Sequence, residues 1–240
     1  MFRFVFLCAL HIHYAILCTY WMVKALKKGN GLSLEERWKV ARDVVHIIVR
    51  EAKCPVEVHG TENLPSDSGY IIMPNHQGKF DGLAIVNTHE KPLSFVLDKK
   101  RADILMETYW IDLTQSERIS KTNGREAFQT MKRVRDRVKG GETFCIFPEG
   151  GHNDNGNNLQ EFHTGCFHFL SEMNCPIVPC VLVDSYRVFN YQKFWEWTRK
   201  VTVKVYYLPP IFPEEYKGLD KRAVAELVKS RIQKKLSEVC

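Results

Sequence analysis

The chain has 240 residues, 45% of them hydrophobic and 26% charged, which is enough apolar material for one substantial core and argues against global disorder. Its formal net charge of +6 suits anionic partners in general, but no basic repeat, zinc-finger spacing or Gly-aromatic strand signature accompanies it, so nucleic acid is not an expected partner. The eight cysteines are scattered without a C-x-x-C pair, and several sit in apolar runs, which fits free thiols in a reducing, cytoplasm-facing location better than a disulfide framework.

The chain opens on an apolar stretch from Phe4 to Val23, interrupted only by His11, His13 and Thr19. It holds roughly the 20 residues that a helix needs to cross a bilayer core. Lys24, Lys27 and Lys28 follow at once and would hold that end on the cytoplasmic side, while Tyr14, Tyr20 and Trp21 suit a membrane interface. No small-x-small site follows the run, which argues against a cleaved signal. Residues 4–23 are expected to contact the membrane, spanning it or lying in its interface. Gly29 to Gly31 break the chain. Ser33 with Glu36 three residues later reads as a capping box, and Trp38, Ala41, Val44, Val45 and Ile48 carry an amphipathic helix to about Lys53. Residues 1–54 therefore read as two membrane-associated helices, and residues 55–240 as the main domain.

From Pro55 the pattern changes to short β-rich runs separated by helical segments. Strands are expected at Val56–His59, Tyr70–Met73, Leu93–Leu97, Thr143–Phe147, Ile177–Val183 and Val201–Tyr207. Helices are expected at Gly82–His89, Arg125–Lys139, Phe162–Met173 and Lys221–Val239. Ala127, Phe128, Met131, Val134 and Val138 give the second of these an apolar face, and Gly140-Gly141 stop it. The alternation predicts an α/β domain whose mixed or largely parallel sheet is flanked by helices. Tyr186 to Lys200 interleaves aromatics such as Trp195 and Trp197 with Arg187, Lys193, Arg199 and Lys200. That composition fits either a membrane interface or a loop folded over the core.

Two segments carry chemistry. In Met73-Pro74-Asn75-His76-Gln77-Gly78-Lys79-Phe80-Asp81 an apolar strand ends at Pro74, a histidine follows, and an aspartate stands five residues beyond it. Neighbours on one helical face are three or four apart, so the pair must meet through the loop, where Gly78 lets the chain turn back. Asp81 on one ring nitrogen of His76 would leave the other free to accept a proton, and an imidazole, with a solution pKa of about 6.5, suits a general base near neutrality. In Ile146-Phe147-Pro148-Glu149-Gly150-Gly151 a second strand ends at a proline before an acid and two glycines, and such glycines let backbone N–H groups approach an anion or oxyanion closely. In isolation the first segment also reads as a surface histidine before a helix cap, and the second as a tight turn. Cys175-Pro176-Ile177-Val178-Pro179-Cys180-Val181 reads as a buried core strand. No metal-ligand pattern is present; His163 and His168 flank Cys166 on a predicted helix, but a five-residue gap puts the two rings on different faces.

In this order and spacing the segments resemble the glycerolipid acyltransferase family, which includes the 1-acylglycerol-3-phosphate acyltransferases of phospholipid biosynthesis. Asn75, His76 and Asp81 match its Asn-His-x4-Asp block, Phe147 to Gly150 its Phe-Pro-Glu-Gly block, Val178-Pro179 its Val-Pro strand, and Glu62-Asn63-Leu64-Pro65 its lead-in. The resemblance covers about residues 55–240. It implies a glycerol-3-phosphate acyltransferase-like catalytic domain behind a two-helix membrane-docking element. It further implies His76 as base, Asp81 as its orienting acid, and acyl-CoA or acyl-carrier protein as co-substrate, with no cofactor and no metal. Membrane lipids are the implied partners, and Asn75, Glu149, Gly150 and Gly151 would shape the acceptor site. Two arginines of the family pattern are absent: Leu113 follows Ile111-Asp112 where Ile-Asp-Arg is common, and Gly151-His152 stand where Thr-Arg is common. Both changes remove bidentate phosphate ligands. Arg118 is the expected substitute, with Lys121, Arg125 and the Lys99-Lys100-Arg101 run as alternatives; a lipid acceptor without phosphate, or a silent lipid-binding protein on the same fold, are the competing readings. A hydrolase with a covalent nucleophile would need a G-x-S-x-G elbow, which is absent, or Cys145.

Overall fold

The capping box read at Ser33 forms in the structure, and two further helices are capped by side chains. Ser33 Oγ accepts the Glu36 N–H at 3.2 Å while Glu36 Oε2 accepts the Ser33 N–H at 2.7 Å. Asn123 Oδ1 accepts the Glu126 N–H at 3.1 Å, and Asp220 Oδ1 takes both the Arg222 and Ala223 N–H groups. Each cap satisfies donors that the first helical turn leaves unpaired. The computed structural model describes residues 12–27, 31–66, 69–100, 105–153, 155–188 and 201–240. Its helices are α1 (Ile12–Lys27), α2 (Leu34–Glu51), α3 (Asp81–Thr88), α4 (Leu105–Leu113), α5 (Gly124–Lys139), α6 (Leu170–Met173), α7 (Pro213–Tyr216) and α8 (Lys221–Val239). Its strands are β1 (Val56–His59), β2 (Ile71–Pro74), β3 (Ser94–Asp98), β4 (Glu117–Ile119), β5 (Phe144–Cys145), β6 (Ile177–Val183) and β7 (Val203–Tyr207).

The strands form one mixed sheet in the order β1-β7-β6-β2-β5-β3-β4. Every neighbouring pair is parallel except β6 with β7. β6 is buried along all seven residues, as a strand covered on both faces must be. Alternation along β2 sends Ile72 to one apolar layer, with Trp38, Val45, Ile85, Phe95 and Val205. It sends Ile71 and Met73 to the other, with Val134, Phe144, Val181, Val228 and Ile232. α8 buries Val224, Val228, Ile232 and Leu236 at helical spacing. At about 1.5–3 kcal/mol for each fully buried large aliphatic side chain, that stripe outweighs the helix's own modest propensity.

Several elements depart from expectation. The predicted helix over Phe162–Met173 is a 3₁₀ turn at Thr164–Phe167 followed by the single turn α6. The His163 N–H is committed to the Pro148 carbonyl at 2.8 Å, which holds the start of the segment extended against the loop after β5. The strand expected over Thr143–Phe147 contributes only Phe144 and Cys145 to the ladder, although Ile146 N–H still reaches Ile72 O; Pro148 then ends the pairing because it has no donor. β4 is a short, charged edge strand, a design that blunts an exposed edge and leaves no apolar pattern to read. Phe128, expected on the buried face of α5, is 46% exposed and lies over Phe169 instead, with ring centroids 5.0 Å apart.

Residues 4–11 of the expected membrane segment lie outside the described residues, as do residues 189–200 of the aromatic stretch. Among the described residues no helix is long and apolar enough to cross a membrane. α1 buries Cys18, Met22 and Ala25 against Ala41 and Val44 of α2 and Leu113 of α4, and presents Ile16, Leu17, Tyr20 and Trp21 outward. α2 is tied to the sheet domain by Trp38, whose Nε1–H donates to Glu90 O at 2.9 Å.

One buried polar cluster makes stability depend on pH. His89 is 1% exposed. Its Nδ1 faces the Lys91 carbonyl at 2.9 Å and must carry the proton, so Nε2 accepts from the Tyr70 hydroxyl at 2.7 Å. Burial pulls the imidazole down from 6.5 to about 4 and pushes the Tyr70 hydroxyl up to about 12. The unfolded chain therefore protonates His89 well before the folded one does. The stability this group contributes is complete above pH 6.5 and is lost as pH falls toward 4. Between pH 7 and pH 5 the loss amounts to about 2 kcal/mol. Urea unfolding at the two pH values should show the wild type losing that much more than His89→Gln; equal losses would contradict a neutral His89.

Candidate active site

Parallel neighbours end on the same edge of a sheet. The sequence order therefore brings the exits of β2, β5 and β6 side by side, the position at which open α/β sheets build their sites. Residues 74–81 leave β2, residues 146–152 leave β5, and Asp184 with Ser185 leave β6.

Asn75 comes first after β2 and is 1% exposed. Its Nδ2 donates to Leu182 O at 3.0 Å and its Oδ1 accepts the Leu182 N–H at 2.7 Å. Both ends of the amide bond the backbone of β6, so Asn75 clamps two strands. The clamp sets the direction in which the next residue leaves the sheet.

That residue is His76. Its Nδ1 stands 2.7 Å from Asp81 Oδ2, and its side chain is 18% exposed while that of Asp81 is fully buried. Asp81 Oδ2 also accepts the N–H groups of Gln77 at 2.6 Å and Gly78 at 2.9 Å, and Oδ1 accepts from the Ser185 hydroxyl. A carboxylate so surrounded is an acceptor only, so His76 must donate through Nδ1–H. Nε2 is thereby the basic nitrogen, and it makes no hydrogen bond among the described residues. The His76 ring contacts that of Phe147, at 4.4 Å between centroids, and that of His152, edge-on at 5.1 Å.

Glu149 joins the two motifs. Its Oε1 accepts the His76 backbone N–H at 2.8 Å and Oε2 accepts the Gln160 N–H at 3.3 Å. Burial pushes its carboxyl up, against the pull of these two donors. Gly150 has φ +66, and a methyl group added there would meet the His163 ring at 2.5 Å. Only glycine suits a position that is both left-handed and this close to a neighbour. Gly151 lies beside Lys121, whose Nζ would be 3.7 Å from a methyl group added there. Lys121 pairs with Asp98 at 3.1 Å.

Arg118 sits on β4 with its guanidinium on Asp112 at 2.7 Å. Lys121, not Arg118, is the cation the structure brings against Gly151. Arg101 lies outside the described residues, and Lys99 is paired with Glu126. Cys145 is completely buried, and burial pushes its thiol well above the ordinary range, so it stays protonated and is a poor nucleophile. His163 lies on Gly150 and His168 on Phe128 and Phe169. Among the described residues no group of three or more His, Cys, Asp or Glu side chains could hold a metal ion.

Sequence reasoning passed over Gln77, Asn157, Gln160 and Ser185. The Gln77 carbonyl accepts the Ser185 N–H at 3.1 Å and its amide donates to Asn157 Oδ1 at 2.8 Å. Asn157 Oδ1 accepts the Asp184 N–H at 3.0 Å in turn. Gln77 had the one available signal, its place next to His76. The others lie in loops with no spacing to read.

A family model described as acyltransferase matches residues 55–183, more than half of the chain. The 1-acyl-sn-glycerol-3-phosphate acyltransferase alpha of Mus musculus is 29% identical over 183 residues, covering 72% of this chain and 61% of that protein. Its Bos taurus counterpart is 30% identical over 184 residues, covering 72% and 60%. A probable 1-acyl-sn-glycerol-3-phosphate acyltransferase of Mycoplasma pneumoniae is 23% identical over 220 residues, covering 86% and 80%. The chain thus spans about three fifths of the length of the mammalian relatives it matches. The fold is shared with the crystal structure of the 1-acyl-sn-glycerophosphate (LPA) acyltransferase from Thermotoga maritima, with a TM-score of 0.70, 18% identity, and coverage of 93% of this chain and 95% of that one. With residues 55–183, more than half its length, matched by the family model, this chain belongs to the acyltransferase family.

Proposed function

We propose that this chain transfers a fatty acyl group from acyl-CoA or acyl-carrier protein to the free hydroxyl of 1-acylglycerol-3-phosphate, giving phosphatidic acid. The observation that carries the reading is the His76–Asp81 contact of 2.7 Å, made by a histidine whose side chain is still 18% exposed. His76 Nε2 takes the hydroxyl proton as the oxygen attacks the thioester carbonyl. The tetrahedral intermediate collapses with cleavage of the C–S bond, and the thiolate leaves with the proton that the imidazolium returns. Asp81 stabilises that imidazolium, and no acyl-enzyme forms. Glu149 holds the second loop against the His76 backbone, and Gly150 and Gly151 beside it shape the acceptor site.

Lys121 supports a phosphate on the acceptor. It is 46% exposed at the side chain and its pair with Asp98 is a surface one. Such pairs contribute only about 0–1 kcal/mol, so an incoming phosphate can recruit the ammonium at little cost. The outward Ile16, Leu17, Tyr20 and Trp21 of α1, with Lys24 and Lys27 on the same helix, support docking of the domain on the cytoplasmic face of a membrane. A neutral lysolipid or glycolipid acceptor is the second reading, favoured by Leu113 and His152 where the family pattern has arginines.

Purified, detergent-solubilised protein incubated with labelled acyl-CoA and a panel of acceptors tests both. Lysophosphatidic acid should be acylated in preference to glycerol-3-phosphate, neutral lysolipids and glycolipids. His76→Ala and Asp81→Asn should each lower kcat about 10³-fold, the range of a lost general base or its orienting acid. Lys121→Gln should raise KM for lysophosphatidic acid about tenfold, the effect of one lost charge contact of roughly 1.4 kcal/mol, with kcat unchanged. Preference for a neutral acceptor with no effect of Lys121→Gln would select the second reading. No transfer from either donor would select a silent lipid-binding protein.

A further inference from the structure

The geometry points to Ser185 as a positioning residue of the proposed acyl transfer: its hydroxyl fixes the Asp81 carboxylate and thereby sets how readily His76 takes a proton. The inference rests on the reading of His76 as the base. Ser185 follows β6 in a 3₁₀ turn, is 1% exposed, and is turned over Asp81 by the left-handed residue Asp184 at φ 63. Its Oγ lies 2.5 Å from Asp81 Oδ1 and 2.9 Å from Gln77 Oε1. The hydroxyl has one proton to give. The shorter distance and the full negative charge assign it to the carboxylate, while Gln77 Oε1 already accepts the Ser185 N–H. Backbone and side chain of Ser185 are therefore both tied down.

Among the described residues Ser185 is the one donor to Asp81 Oδ1; His76, Gln77 and Gly78 all use Oδ2. A hydroxyl bound to one carboxylate oxygen withdraws charge from the whole group. Without it, more of the negative charge bears on the imidazole, and the imidazolium is held more tightly. The loop itself carries the exposed Lys79, and further charged or titratable groups near the pair include Glu149 and His152 on the loop after β5, Lys121 beside Gly151, and Asp184, paired with Arg187, in the turn after β6. The thiols of Cys145 and Cys180 lie beneath, protonated because burial pushes both up. Ser185 is the neutral group that adjusts the aspartate from the side opposite the histidine.

Two measurements test this. The first follows the His76 ring by NMR through a pH titration of the free protein, assigned with His76→Gln. The second follows the pH dependence of kcat/KM. In Ser185→Ala the His76 midpoint and the acid limb of the rate profile should both move to higher pH, because a hydrogen bond that drew charge from the partner carboxylate is lost. Ser185→Thr, which keeps the hydroxyl, should retain the wild-type values. Loss of stability alone would move neither quantity. A folded Ser185→Ala protein with an unmoved His76 midpoint would overturn the proposal. If that variant does not fold, Ser185→Cys, with its weaker donor, carries the same test and should shift in the same direction. A wild type that acylates nothing would sink the reading of the reaction, and the titration of the free protein would still decide on Ser185.

Discussion

A carboxylate removed from water must be paid for in hydrogen bonds, and the Asp81 side chain, with no exposure at all, has four: one imidazole, two backbone amides and one hydroxyl. Three chain segments must be in register to supply them. The loop after β2 gives the amides and the histidine, the first turn of α3 gives the aspartate, and the turn after β6 gives the hydroxyl. The rest of the architecture can be read as what holds these segments at one sheet edge.

The parallel sheet does most of that holding. β2 lies between β6 and β5, so its C-terminal end is flanked by the C-terminal ends of both. Asn75 bonds β2 to β6 just before His76 leaves, and Glu149 bonds the loop after β5 to the backbone of His76 itself. The histidine is thus fixed through its backbone on one side and its ring on the other. A histidine held in this way has little freedom left to lose, which is the preorganisation that the proposed role of base requires.

How much of this was legible in the sequence follows from contact distance along the chain. Asp81 is five residues from His76 and the loop between them contains Gly78, so the pair was readable as a local feature. The β-rich runs of β6 and β7 and the capped helix α2 were equally local. Ser185 meets Asp81 across 104 residues, and no periodicity announces such a contact. Arg118 looked like an acceptor ligand by its nearness to the altered Ile111-Asp112-Leu113 block. The structure pairs it with Asp112 at the surface and places a second cation, Lys121, three residues on, beside Gly151. The segment Phe162–Met173 has helical spacing, yet the bond from His163 to Pro148 wins over local propensity.

The account stands or falls on direct attack of a lipid hydroxyl activated by His76, without a covalent acyl-protein. Isotope exchange tests that claim most directly: purified protein, acyl-CoA and labelled free CoA are incubated with no acceptor lipid, and label in the acyl-CoA pool is followed. Direct transfer predicts no exchange until a lipid acceptor is added. Exchange in its absence would reveal a covalent acyl intermediate and contradict the account.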